Sequence, residues 1–354
     1  MSVDTNVAAE EFVGRMMSLL NDSFLGLLVS IGHRTRLFDK LSEVGSATSE
    51  TVAHASGLDK RYVREWLGAM VLGRIVEFDP LEGTYFLPPE HAAFLTRTAG
   101  TDNLAFFTQY LRMFGAVEND VVECFRNGGG VSYERYPEFQ RVQAEESARL
   151  FDDSLVSTVL PLAPGLVERL RQGIDVADLG TGEGRAVNVM AREFPESRFL
   201  GMDFSSEEIA AARAEADRWG LSNARFEVAD VTAGLPGNFD LVTAFDVVHD
   251  LANPPAALSD IVRSLSPDGV FIMMDMAASS HLEDNLDHPV GPVLYTASVM
   301  HCMTVSLAQN GEGLGTMWGE QAAQSYLADA GFGDLHVHHL DGDPMHVFYV
   351  ARVT

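Results

Sequence analysis

The chain has 354 residues, 46% of them apolar, and a mean hydropathy of +0.03, enough for a large core and about two domains. It carries 24 Lys and Arg against 51 Asp and Glu, a net charge of -27, which repels phosphate backbones and anionic lipid and disfavours nucleic acid or a membrane surface as partner. Two cysteines, Cys124 and Cys302, exclude a disulfide framework or a four-cysteine zinc site and suit a reducing compartment. The acidic stretch 1–10 has no signal-peptide pattern, and the apolar run 24–31 is too short to span a bilayer, so a cytoplasmic protein without a membrane segment is expected.

Phe12, Met16, Leu19, Leu20 and Phe24 recur at helical spacing, with apolar character continuing to Leu28. This predicts a long helix with more apolar surface than one small domain covers. Residues 47–55 read as a capped short helix closed by a turn at Ser56-Gly57. A second helix is predicted over 59–71, with Val63, Trp66, Leu67 and Met70 inward. Two short strands, 75–78 and 84–87, follow. Helix, turn, helix, hairpin is a winged-helix pattern. Residues 101–172 read as helical: one helix to Asn127 before Gly128-Gly129-Gly130, another over 137–159, and a last one ending at Gly173 after Pro161 and Pro164.

From 173 onward strands and helices alternate. Strands are predicted at 175–179, 198–203, 225–229, 239–245 and 269–275, with helices at 185–194, 206–219 and 255–265 between them. Pro267-Asp268-Gly269 punctuates the last of these. A terminal strand pair is expected at 335–340 and 345–350. The alternation predicts an α/β fold, a doubly wound, mostly parallel sheet.

Asp178-Leu179-Gly180-Thr181-Gly182-Glu183-Gly184 joins the first of these strands to its helix. Its glycines allow a tight turn and close approach of a ligand, and the helix N-terminus points N–H groups at it. The third glycine comes one position earlier than in the dinucleotide fingerprint, and no Gly-Lys-Ser/Thr follows, which excludes a P-loop. Asp203 ends the second strand nineteen residues after Gly184, where a carboxylate accepts both hydroxyls of a ribose. Asp230 ends the third strand, placed for an adenine amino group, and Phe245-Asp246 ends the fourth. Four acids at one crevice, Asp178, Asp203, Asp230 and Asp246, suit a cationic cofactor better than a pyrophosphate.

On these residues, residues 175–275 resemble a class I S-adenosylmethionine-dependent methyltransferase. The resemblance implies a seven-stranded Rossmann-like sheet and S-adenosyl-L-methionine as cofactor. It implies that Gly180 and Gly182 line the methionine part, that Asp203 binds the ribose and that Asp230 and Val231 flank the adenine. Asp178, Thr181, Gly184, Phe204, Phe245 and Asp246 are the further cofactor-binding candidates. His249, in Asp246-Val247-Val248-His249-Asp250-Leu251, resembles the general base of winged-helix small-molecule O-methyltransferases, although Leu251 stands where they carry tryptophan. Its other reading is a pocket wall.

The stretch 276–318 is long for one connection and is expected to form a lid over an acceptor pocket. Tyr136, Tyr295, His301, Cys302 and Trp318 are its candidate residues, with Tyr295, Ser298, Cys302 and Ser306 on one helix face. Tyr133, Tyr136 and Phe139 either close over the site or anchor a helix. Adjacent His301 and Cys302 diverge by about 100° on a helix, so no metal is expected.

Residues 1–100 hold nine basic and thirteen acidic residues, and the wing carries Glu77, Asp79 and Glu82. DNA binding is therefore not expected. The resemblance implies instead a dimerisation domain at 1–100, a helical linker at 101–172 and a methyltransferase domain at 173–354. The expected function is methyl transfer to a small-molecule acceptor, at oxygen, by a homodimer. The alternatives are a transcription regulator that uses a methyltransferase-like domain as ligand sensor, and a nicotinamide oxidoreductase.

Overall fold

A computed structural model describes residues 2–136, 138–231 and 234–353, the side chains of 2–6 excepted. The chain divides into two compact units, residues 1–115 and 116–354.

The first unit begins with α1 (Ser2–Arg34), α2 (Leu37–Val44), α3 (Ser49–Ser56) and α4 (Lys60–Leu72). The Thr48 hydroxyl accepts from the Thr51 N–H to cap α3, and Gly57 at φ 68° closes it. Asp59 caps α4 through the N–H groups of Arg61 and Tyr62. Val63, Trp66, Leu67 and Met70 are buried on one face, and Trp66 donates to the Leu28 carbonyl of α1 at 2.8 Å. The hairpin β1 (Glu77–Asp79) and β2 (Thr84–Phe86) is shorter than predicted, and a bridge from Ala47 to Tyr85 adds a third edge. Two helices had no sequence expectation, α2 and α5 (Pro89–Leu95). α2 puts Leu37, Phe38 and Leu41 into the core.

On α1, Phe12, Met17, Leu20, Phe24 and Ile31 stand exposed. Residues Val7–Arg34 are long and apolar enough to cross a membrane by length and composition. The expectation that no early stretch reaches that length is therefore corrected. It counted one uninterrupted apolar run, whereas the whole helix keeps a high mean hydropathy across isolated polar residues.

The division between units falls within α6 (Gln109–Asn127). The second unit continues with α7 (Phe139–Ser154) and α8 (Leu166–Gln172), then β3 (Asp175–Leu179), α9 (Arg185–Glu193), β4 (Arg198–Asp203), α10 (Ser206–Trp219) and β5 (Ala224–Val228). Next come β6 (Phe239–Phe245), α11 (Pro254–Ser264), β7 (Leu265–Met276), α12 (Gly291–Ala297), α13 (Met303–Ala308), α14 (Gly319–Ala330), β8 (Phe332–His339) and β9 (His346–Val353). The sheet order is β5-β4-β3-β6-β7-β9-β8. Strands β3 to β7 pair in parallel, β9 pairs antiparallel to β7, and β8 antiparallel to β9. This is the seven-stranded α/β sheet that the alternation and the resemblance predict.

The inner strands β3, β6, β7 and β9 carry long buried runs because both faces are covered, one by Val187, Met190, Phe194 and Ile209 and the other by Leu258, Ile261, Ala323 and Leu327, whereas the edge strands β5 and β8 are largely exposed or half-buried. Pro267-Asp268-Gly269 does not bound β7. Phe239 pairs with Leu265 and Leu241 with Val270, so residues 266–269 stand out of register inside the strand.

Two left-handed glycines should separate conformation from crowding. Gly220, at φ 68°, has open space where a Cβ would go, whereas at Gly184, φ 73°, a Cβ would lie 2.5 Å from Phe226 and 2.7 Å from Ala212. Gly220→Ala is expected to cost about 1–2 kcal/mol, and Gly184→Ala about 1–3 kcal/mol more, in denaturant unfolding. Equal losses would remove the packing argument.

Candidate functional site

The turn from β3 into α9 keeps Gly180, Gly182 and Gly184 at φ 63°, 53° and 73°. A Cβ on Gly180 would sit 2.5 Å from Val247, and one on Gly182 would sit 3.1 Å from Glu208. The Thr181 N–H donates to the Met202 carbonyl, which ties the turn to β4. Asp203, at the tip of β4, accepts the Gly182 N–H at 3.0 Å and the Ser205 N–H at 2.9 Å on its two oxygens. Burial raises its carboxyl, and backbone donors at Ser205, Gly182 and Phe204 oppose the rise. Asp178 is buried beneath the turn and accepts hydroxyls from Thr181 at 2.7 Å and Thr243 at 2.6 Å. Burial pushes it up to about 6 against those bonds. Glu208 is pushed up to about 8 by burial and by Asp203, Glu183 and Glu207. From α7, Gln140, Gln143 and Ser147 face this turn across a cavity of about 70 Å³ shared with Gly182, Glu183 and Glu208.

The other predicted cofactor residues lie around this turn and the neighbouring strand ends. Asp230 lies two residues beyond β5, with Val231 buried behind it. Phe204 is 60% exposed and meets the Tyr133 ring at 5.2 Å. Phe245, half-buried, packs its ring on Phe151 of α7, 5.0 Å between centroids. Asp246 follows β6 at φ 60°, a left-handed position that aspartate tolerates, and its Oδ1 has no hydrogen-bond partner among the described residues.

The second group of residues centres on His249, only 1% exposed. Its Nδ1 lies 2.9 Å from Oδ1 of Asp275, a fully buried carboxylate on β7. The same oxygen accepts Trp318 Nε1 at 3.0 Å and the Met276 N–H at 2.8 Å. His249 Nε2 faces Asp250 Oδ1 at 3.3 Å and Asp246 Oδ1 at 3.8 Å. Burial opposes charge on the imidazole, but Asp275 and Asp250 outweigh it and hold His249 well above its ordinary value. Burial pushes Asp250 up to about 6, with His249 pulling the other way. Asp246 is also raised, first by burial.

The family of methyltransferase domains matches residues 170–330, and an Rv2258c-like winged HTH domain matches residues 23–97. Residues 170–330 carry a methyltransferase domain. Trans-aconitate 2-methyltransferase of Deinococcus radiodurans is 33% identical over 111 residues, which is 31% of this chain and only 41% of that relative's length. Among solved structures, mitomycin 7-O-methyltransferase aligns at TM-score 0.71 and 16% identity over 99% of this chain and 100% of its own. Human N-acetylserotonin methyltransferase, solved in complex with SAM, aligns at TM-score 0.70 and 17% identity over 96% of this chain and 97% of its own. At such identities the likeness establishes the fold.

In the methyltransferase domain the 276–318 insertion is mainly helical. A π-turn at Ser298–Cys302 joins α12 to α13. Its extra residue rotates α13 relative to α12, which breaks the predicted common face: Ser298, Cys302 and Ser306 are buried, while Tyr295 is 40% exposed. His301 is buried and stacks on Phe139 at 4.5 Å, with Tyr133 and Tyr136 edge-on. Burial and then His249 lower it to about 3, so it is a neutral group. Tyr136 donates to the Met300 carbonyl at 2.5 Å, and Tyr133 donates to Asp250 Oδ2 at 3.0 Å. Burial raises both phenols and, more than any neighbour, the Cys302 thiol. Trp318 Nε1 donates to the same Asp275 oxygen that holds His249.

Sequence reasoning missed Asp275 and gave Asp250 no role. The available signal was one acid at the end of the apolar run 270–274, since a carboxylate in a buried strand has to be partnered. Tyr133 was named without its partner Asp250.

Asp178 supplies a pH test. Unfolded aspartate titrates near 3.9 and the buried group near 6, so the native state binds the extra proton between these values and stability falls as pH rises through that window. Asp178→Asn removes this contribution. Its stability relative to the parent chain is expected to rise by roughly 2–3 kcal/mol from pH 4 to 7 in urea unfolding; a constant difference would remove the assignment.

Proposed function

We propose that the protein transfers a methyl group from S-adenosyl-L-methionine to a small-molecule acceptor, with oxygen as the receiving atom. One observation carries the reading: a left-handed glycine turn at the strand tips with the Asp203 carboxylate held beside it. The residues present fit this cofactor. Gly180 and Gly182 keep the turn clear of any Cβ, α9 directs its N-terminal N–H groups towards the crevice, and each Asp203 oxygen keeps a lone pair for a ribose hydroxyl. When bound, the cofactor supplies an electrophilic methyl on a sulfonium. Asp178, Asp203 and Asp246 favour that positive charge at the mouth of the sheet.

The chain's own work is alignment and proton handling. Aligning acceptor and methyl in line supplies up to about 7–11 kcal/mol of the barrier. A hydroxyl acceptor must also lose its proton. Asp275 keeps a proton on Nδ1 of His249, so Nε2 is the exchanging atom. Asp250 Oδ1 faces it at 3.3 Å, and the His249–Asp250 pair takes up the proton the acceptor releases. Tyr133, Tyr136, Phe139 and His301 form an aromatic wall on the lid side.

The N-terminal unit is assigned to dimerisation. The apolar residues exposed on α1 need cover, and a second copy supplies it. DNA is disfavoured as partner, since Lys60 pairs with Glu50, Arg61 pairs with Glu65, and the wing is acidic.

Calorimetry with S-adenosylhomocysteine, the demethylated product, is expected to show saturable binding, and ligand at 100-fold over its Kd should stabilise the fold by about 2.7 kcal/mol. Asp203→Ala should abolish that stabilisation. No heat and no thermal shift with the parent chain would count decisively against the reading. His249→Ala should lower kcat by about 10²–10⁴-fold while leaving the Kd for S-adenosylhomocysteine unchanged. Unaltered turnover would make His249 a pocket wall.

A further inference from the structure

Around Nε2 of His249 the domain gathers a nitrogen, a carboxylate oxygen and a thiol from two distant segments of the chain. His249 sits in the short 3-10 turn after β6, Asp250 is its neighbour, and Cys302 comes from the π-turn of the lid. One donor atom from each lies within 4.8 Å of the others. Asp250 Oδ1 is buried and makes no hydrogen bond among the described residues, and it faces Nε2 at 3.3 Å. Two ligands held at about 2.0–2.2 Å from a tetrahedral zinc ion stand roughly 3.3–3.6 Å apart. The Cys302 thiol is free and buried.

A hydrogen-bonded core histidine would account for the His249–Asp275 contact alone. The outer contacts say more. Each of the three donor residues also has a further polar partner. Asp275 holds His249 Nδ1 at 2.9 Å and is itself fixed by Trp318. Tyr133 holds the other oxygen of Asp250 at 3.0 Å. His301 Nδ1 lies 3.6 Å from Cys302 Sγ. A carboxylate behind a ligating histidine and donors behind ligating acids and thiols are the outer contacts that orient metal ligands. Nitrogen, oxygen and sulfur together select a borderline-soft divalent cation over magnesium or calcium.

The geometry points to a zinc-binding site formed by His249 Nε2, Asp250 Oδ1 and Cys302 Sγ, with the fourth position open to water or a ligand. Binding forms three protein–metal bonds, and the thiol proton and the proton on Nε2 of His249 leave to solvent. The sequence expectation of no metal rested on the divergence of His301 and Cys302. The site uses Cys302 with residues about fifty positions away, and His301 only orients the thiol.

The site bears on the proposed reaction, and this part rests on that reading: zinc ties up the His249 and Asp250 atoms of the pair that would take the acceptor's proton, so it is an inhibitor of methyl transfer.

The test uses the full chain, freed of metal by chelation and titrated with Co²⁺ and Zn²⁺. Expected are one equivalent of tight binding per chain and a thiolate-to-cobalt charge-transfer band. Cys302→Ser should abolish the band, and Asp275→Asn, with all three ligands intact, should weaken affinity by about 10–100-fold. Thermal melts establish that both variants fold, and Cys124→Ser is the control that keeps the band. No band with the parent chain, or a band that survives Cys302→Ser, overturns the site. A band without inhibition of transfer leaves the metal site standing and overturns the proton-accepting role of His249 and Asp250.

Discussion

The turn from β3 into α9 exists only because Gly180, Gly182 and Gly184 lack a Cβ. Each adopts a left-handed conformation, and at Gly180 and Gly184 a methyl group would collide with Val247 or with Phe226 and Ala212. The Gly182 N–H then ends on Asp203, so the carboxylate that faces the crevice is also a structural part of the turn. Binding and folding share one group here. The geometry that would receive a nucleoside is therefore set before any ligand arrives, which lowers the cost of ordering on binding.

A second organising group is Asp275. One of its oxygens accepts from His249, Trp318 and the Met276 amide together. A fully buried carboxylate is tolerated only with such donors around it. In meeting that need, the network locks the imidazole orientation and directs Nε2 at Asp250. Tyr133 and, from the 276–318 insertion, Cys302 complete the surroundings, so the chemistry of the His249 region depends on segments far apart in the chain.

The N-terminal unit follows a separate logic. Its core forms around Phe38, Trp66, Leu67 and Met70, with caps at Thr48 and Asp59 setting where the helices start. The long helix α1 contributes little of its apolar surface to that core. The same helix is long and apolar enough to cross a membrane by length and composition, so its exposed residues are the most informative target on this unit.

Much of the fold was legible because its signals are local. Capping residues, helical spacing and glycine stops marked α3, α4, α6, α9 and α10 within a residue or two at the ends they define. The glycine turn and Asp203 were readable because steric demands and strand ends act over a few positions. The π-turn at Ser298–Cys302 was not, since one inserted residue leaves no mark in composition and displaces Tyr295 from the face it was assigned. Nor was α2, whose short apolar pattern lies too close to α1 to stand out.

By itself, then, the sequence determined the alternation of strands and helices, the turn and the acids at the strand tips, because each follows from bonds and contacts within one or two turns of chain. Only the tertiary structure decided which of those acids meet a partner. The pairing of Phe245 with Met274 brings Asp275 beside the segment that carries His249, and the start of α14 brings Trp318 to the same oxygen. Hydrogen bonds that span 26 and 43 residues have no period in a sequence; they come into being when packed strands fall into register.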